Sequence, residues 1–177
     1  RGVDGFRLDA CNCLTHDPQL RNNPPRPDDM PPTEAVTPSN PYNYQRHLYN
    51  KSQPETLGFL RRLRALTDEY GDILLIAEIA DDDSLKVMRD YAGPKAPLHT
   101  AYSFALLGPE FDPRHVTGAV DAFHADGIDG RPGRDGWPSW AFENHDAPRA
   151  LSRWCAPEHR AIFARMKIAL LACLRGN

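Results

Sequence analysis

The sequence predicts an α/β fold, part of a (β/α)8 TIM barrel made of about strands 4 to 7 with their helices. Three strand-like runs carry this expectation: Gly-Phe-Arg-Leu-Asp-Ala over 5–10, Leu-Ile-Ala-Glu-Ile over 75–79 and Phe-Glu-Asn-His-Asp over 142–146. Each carries a carboxylate at or one residue before its end (Asp9, Glu78 and Asp146), and helical patterns lie between them. Acids at the C-terminal ends of successive buried strands are how the catalytic face of such a barrel reads in sequence. Length supplies the word "part". The 177 residues suffice for one domain with a sizeable core, whereas a full barrel takes roughly 250. The chain opens straight into a strand at Arg1-Gly2 and stops just after an apolar helix at Arg175-Gly176-Asn177. Residues 1–177 are therefore expected to be an internal piece of one barrel domain, truncated at both ends.

The first strand is expected over 3–9. Alternation places Arg7 and Asp9 on one face and Phe6 and Leu8 on the other. A long connection over 14–54 follows, rich in proline from Pro18 to Pro41. Loops of this length are functional or disordered. This one leaves the strand end that carries Asp9 and has apolar anchors at Tyr42, Tyr44, Leu48 and Tyr49, so it is expected to form a wall of the substrate pocket. A helix from about Glu55 follows, with Leu57, Leu60, Leu63, Leu66 and Tyr70 as its apolar stripe. Arg61, Arg62 and Arg64 then fall on a solvated face. A strand over 73–79 puts Leu74, Ile76 and Glu78 on one side and Leu75, Ala77 and Ile79 on the other. It is apolar on both faces, as in a parallel sheet covered by two layers. In Asp81-Asp82-Asp83, either Asp82 or Asp83 is expected to cap the next helix, which carries Leu85, Val87, Met88 and Tyr91. A third strand is expected at about 100–104 and a helix from Pro113. The glycine-rich stretch 126–136 lacks the preceding strand and following helix of a phosphate cradle and reads as a surface loop. A fourth strand at about 139–144 and a helix from about Glu158 complete the pattern.

Composition excludes several classes. A net charge of −3 gives no reason to expect a polyanion, and the arginine cluster at 61–64 reads as a helix surface rather than a nucleic-acid site. Four cysteines without a Cys-x-x-Cys pair do not make a disulfide framework. Cys11 and Cys13 lack the clustered His/Cys partners of a zinc site, and unpaired thiols fit a reducing cytoplasm. The apolar run 161–174 is interrupted by Arg165 and Lys167, so no membrane span is expected.

The strand-end carboxylates suit glycoside hydrolysis with retention, which needs a nucleophile and an acid/base on opposite sides of the scissile bond. Asp9 is the candidate nucleophile, kept ionised by Arg7 two residues earlier on the same face. Glu78 is the candidate acid/base, desolvated by an apolar strand end.

The segment 2–10, the strand-end Glu78 and the triplet Asn144-His145-Asp146 resemble, in order, three signature regions of glycoside hydrolase family 13, the α-amylase superfamily. Residues 16–25, Asn40-Pro41-Tyr42, Gln53-Pro54-Glu55 and the strand around Tyr102 look like its bacterial α-glucosidases of the oligo-1,6-glucosidase and maltase type. The resemblance implies that Asp9 is the nucleophile, Glu78 the acid/base and Asp146 the carboxylate that holds sugar hydroxyls and stabilises the transition state. It makes His145 a hydrogen-bonding neighbour of Asp146. Arg7, His145 and Ala10 are the expected substrate-binding residues. In this group a small residue after the nucleophile, here Ala10, goes with α-1,4 preference. The implied activity is release of terminal glucose from short α-glucosides by double displacement. Alternatives are a transglycosylase or sucrose isomerase with the same carboxylates, or a non-catalytic relative acting as a binding or transporter subunit. The expected partner is a small oligosaccharide, without nucleic acid or membrane. The residues identify no cofactor and no metal site. A structural metal ion would belong to family regions with no counterpart here, among them the first signature region, strand eight and the C-terminal β domain. The chain alone is expected to be inactive.

Overall fold

The computed structural model describes residues 2–33, 36–92, 96–109, 111–124 and 136–177. Among these, three strands form one parallel sheet: β1 (Gly5–Leu8), β2 (Leu74–Ile79) and β3 (Thr100–Ser103), in the order β1-β2-β3. Gly5 to Leu8 pair with Leu74 to Ala77, and Ile76 to Ile79 pair with Thr100 to Ser103. Parallel neighbours require crossover connections, and helices supply them. They are α1 (Pro54–Asp68) between β1 and β2, α2 (Ser84–Ala92) between β2 and β3, and α3 (Pro113–His124) after β3. A short α4 (Ala150–Trp154) and α5 (Arg160–Cys173) follow.

The alternation expected of β2 holds. Leu75, Ala77 and Ile79 are fully buried in a core with Leu60 of α1, Val87, Met88 and Tyr91 of α2, Val116, Ala119 and Phe123 of α3, and Trp140 and Phe142. On the other face Leu74 is 42% exposed while Glu78, at the strand's far end, is buried. The stripe of α1 is shorter than the pattern suggests. Leu57, Leu60 and Leu63 reach the core, but Leu66 and Tyr70 are exposed. Helix α2 is capped by Asp83, whose carboxylate accepts from the Lys86 N–H at 3.4 Å. Asp82 is engaged elsewhere.

The fourth strand expected over 139–144 does not form. Backbone pairing with β3 amounts to a bridge between Ala101 and Pro138, where Ser139 N–H donates to the Ala101 carbonyl at 2.9 Å, and the Ser139 and Thr100 hydroxyls add a side-chain bond at 2.8 Å. Pro138 has no N–H to give a ladder. The neighbouring backbone groups are satisfied by other partners: Trp140 N–H donates to the Asn177 carbonyl, and Asn177 N–H to that of Pro138. The Phe142 carbonyl accepts from Arg153, which also collects the carbonyls of Leu107 and Gly108 through its guanidinium. The glycine-rich stretch 126–136, expected as a surface loop, lies outside the described residues except for Gly136.

The segment between β1 and α1 is held by its own polar groups. Pro25 bridges Gln45, the Asn23 side chain accepts from the N–H groups of Leu48 and Tyr49, and Asp17 pairs with Arg21 at 2.9 Å. The segment is fastened to the end of β2 by Arg26, which meets Asp82 at 2.7 Å with both side chains nearly buried. Among the described residues no helix is long and apolar enough to cross a membrane.

Candidate active site

The sheet register builds the candidate site. Glu78 and Tyr102 are direct partners across β2 and β3, so their side chains emerge on the same face. Arg7 pairs with Ile76, two residues before Glu78 and therefore also on that face. From there its guanidinium reaches three groups. One terminal nitrogen meets Asp9 Oδ1 at 2.6 Å, and the other lies 2.7 Å from Glu78 Oε1 and 3.0 Å from the Tyr102 hydroxyl. The Tyr102 hydroxyl donates in turn to Glu78 Oε1 in a short hydrogen bond. The second Glu78 oxygen accepts from the Ala10 N–H at 3.2 Å.

That last bond depends on an uncommon backbone. Ala10 is left-handed at φ 40°, ψ 45°, a region a side-chain-bearing residue enters at a cost of order 1–3 kcal/mol. The chain turns there from β1 into a 3-10 turn at Cys11–Cys13. The turn leaves the Ala10 N–H on Glu78 and the Asp9 side chain, 73% exposed, open to an incoming molecule.

The electrostatics follow from these contacts. The hydrogen bond from Arg7, then that with Glu78, and then the charges of Arg7 and His145 hold the Asp9 carboxyl below the usual carboxylate range. Burial, with the Glu78 hydrogen bond adding to it and Arg7 opposing, pushes the Tyr102 phenol up to about 12. Hydrogen bonding to Tyr102 and Asp9 also raises Arg7 above its ordinary value, against the effect of burial. Glu78 is 4% exposed, as expected of a strand end, yet its neighbours are donors rather than the apolar groups the sequence suggested.

Asp9, Arg7, Ala10 and Glu78 thus come together as one cluster. His145 is near enough to Asp9 to bear on its titration. Asp146 interacts within its own segment: its carboxylate lies 3.6 Å from His145 Nε2 and its N–H donates to Asn144 Oδ1. Both His145 and Asp146 are more than half exposed. Glu143 pairs with Lys167 and caps the Ala150 N–H, which fits a packing role. Sequence reasoning missed Tyr102 as a site residue. The available signal was its place near the end of a short strand following the Glu78 strand, where parallel pairing sets the two side by side. No group of three or more metal-ligating side chains occurs among the described residues.

Two carboxylates held side by side at adjoining parallel strand ends form an arrangement that glycoside hydrolysis with retention can use. The whole of this chain, residues 1–177, matches the family model described as alpha amylase, catalytic domain, and the chain belongs to the alpha-amylase family. It is 39% identical over 181 residues to a probable alpha-glucosidase of Rhizobium meliloti (strain 1021), a match covering 100% of this chain and 32% of that protein. The crystal structure of the alpha-glucosyl transfer enzyme XgtA is similar with a TM-score of 0.88 at 43% identity, over 99% of this chain and 31% of the other. A trehalose-6-phosphate hydrolase of Bacillus licheniformis shares the fold, with a TM-score of 0.68 at 21% identity. The chain therefore spans about a third of the length of the relatives it matches.

Proposed function

We propose that this chain supplies three consecutive strands, β1 to β3, with their helices, to a larger catalytic (β/α)8 barrel, and that the whole enzyme is a retaining α-glucosidase acting on terminal α-linked glucose of short oligosaccharides. The observation that carries the reading is the single guanidinium of Arg7 in contact with both Asp9 and Glu78. A bridge this short suits a retaining pair, whose carboxylates stand about 5–5.5 Å apart. In the first step an Asp9 oxygen attacks the anomeric carbon while the bond to the leaving oxygen breaks, and Glu78 gives that oxygen its proton. In the second, Glu78 takes a proton from water as the water oxygen attacks the same carbon and the ester to Asp9 breaks. Asp146 holds sugar hydroxyls, with His145 beside it. The long segment over 14–54 walls the pocket, and the small side chain of Ala10 leaves room for an α-1,4-linked aglycone.

A second reading has its own support. The 43% identity to an alpha-glucosyl transfer enzyme favours a sugar hydroxyl in place of water in the second step. The carboxylate roles are then unchanged, and product analysis with an added acceptor separates the two.

The test is made on the full-length enzyme. Asp9→Asn and Glu78→Gln are each expected to lower maltose turnover below roughly one-hundredth of wild type with the fold retained. Proton NMR of early product is expected to show α-glucose before the β anomer grows in. Early β-glucose, or more than about a tenth of wild-type turnover in either variant, would overturn the assignment.

A further inference from the structure

We infer that Asn12, backed by Lys51 and Asp81, is a positioning residue that holds the strand end bearing Asp9 in register with the strand end bearing Glu78. The inference rests on the assignment of Glu78 as acid/base. The β1–β2 ladder ends at the pair Leu8 and Ala77. Beyond it the left-handed Ala10 and the turn at Cys11–Cys13 carry the backbone of the first strand out of ladder geometry. Asn12, fully buried, takes over with its side chain. Its Nδ2 donates to the Ala80 carbonyl at 3.0 Å, and its Oδ1 accepts from the Ala80 N–H at 3.5 Å. A primary amide offers the same donor and acceptor as a peptide group, so it stands where the next strand residue would have been. Ala80 lies two residues past Glu78, and Asn12 three past Asp9.

The arrangement is fixed from behind. Asn12 Nδ2 also faces Ser52 Oγ at 2.9 Å and Asp81 Oδ2 at 3.3 Å, and the Asn12 carbonyl accepts from the Ser52 N–H at 2.6 Å. Lys51 is 1% exposed, and its ammonium donates to the same Ala80 carbonyl at 3.2 Å, 3.9 Å from Asp81. A buried amide and a buried cation thus converge on the Ala80 carbonyl just past the acid/base, with the nearly buried Asp81 carboxylate beside both. Such groups are costly to bury and tolerate little displacement once satisfied. Loss of Asn12 frees the Ala10 turn to drift from Glu78, and with it the geometry of proton delivery.

The experiment uses full-length enzyme and α-glucosides with leaving groups from dinitrophenol to methanol, with rates counted per site titrated by a slowly turned-over fluoroglucoside. Poor leaving groups need the proton of Glu78 and good ones do not. Asn12→Ala is expected to cut kcat/KM about 30-fold for the methyl glucoside and only about 3-fold for the dinitrophenyl one. Asp81→Asn, which keeps shape and removes charge, is expected to show a smaller effect in the same direction and carries the test if Asn12→Ala does not fold. Equal losses across the series, or none, would overturn the inference. Glu78→Gln measured alongside must itself discriminate between leaving groups. If it does not, the assignment of Glu78 fails and the inference with it, whereas a discriminating Glu78→Gln beside a uniform Asn12→Ala removes only the role of Asn12.

Discussion

Arg7 shows how much of the site one side chain organises and how little of that its letter announces. The pattern Arg-Leu-Asp put Arg7 beside Asp9, because the two share a strand face. It could not reveal that the same guanidinium also binds Glu78 and Tyr102, 71 and 95 positions away in sequence. The left-handed Ala10 was equally hidden, since alanine is not a residue that signals positive φ. Asp17 offers a test at this scale. Hydrogen bonds from the side chain and then the backbone of Arg21 lower its pKa from 3.8 to about 2, and Arg21 also stacks over Tyr49 at 4.3 Å. Because the folded value lies below the unfolded one, the stabilisation is complete above about pH 4 and is lost as pH falls through about 2. Hydrogen exchange of the peptide spanning 17–21 is expected to lose protection across that window in the wild type. In Asp17→Asn the protection is expected to be low throughout and insensitive to pH, and a wild-type peptide unaffected by acid would contradict this.

Elements were legible in proportion to how local their causes are. The three strands and the helices beginning near 54, 84 and 113 follow from alternation, apolar stripes and an acidic cap, all readable within a dozen residues. The segment over 139–144 misled because, past the single bond from Ser139 to Ala101, its backbone partners are Asn177 and Arg153, which no local pattern discloses. The long segment before α1 was legible as an element with a purpose but not in its fastening. Arg26 donates to the Pro31 carbonyl, Thr33 and Asp82. Burial pushes the Asp82 carboxyl up, but hydrogen bonds from Thr33 and Arg26 outweigh it, leaving the pKa lowered. Removing one partner of a nearly buried pair leaves a charge without compensation. Arg26→Met is therefore expected to destabilise the segment by about 3 kcal/mol, read as faster exchange over 26–33 and a lower denaturation midpoint. Arg26→Met paired with Asp82→Leu should recover much of the loss, and an unchanged midpoint in the single variant would rule the clamp out.

At the scale of the whole molecule, the described residues carry apolar surface that they do not themselves cover. Phe6 and Leu74 are about half exposed where β1 and β2 begin, and Ile162, Met166 and Ile168 lie open along α5. Among the described residues β1 pairs with β2 alone, which leaves its other edge as a template for association. Isolated as 177 residues, the chain is expected to self-associate, to unfold without a sharp transition and to release no nitrophenol from an aryl α-glucoside. Near-ultraviolet circular dichroism, a denaturant melt and that assay check the point. A soluble monomer with cooperative unfolding and turnover would refute it.

The partnership of Glu78 with Tyr102 across two parallel strands also bears on how such a site can change by descent. Side chains alternate, so inserting or deleting one residue within β2 or β3 turns either carboxylate or phenol toward the helix layer, and only a shift of two restores the pairing. The connection between these strands is free of that parity, because each added loop residue has only a small entropic effect. Lineages can therefore lengthen the approach to β3 gradually, while the strand ends that frame the acids accept changes of length only in even steps.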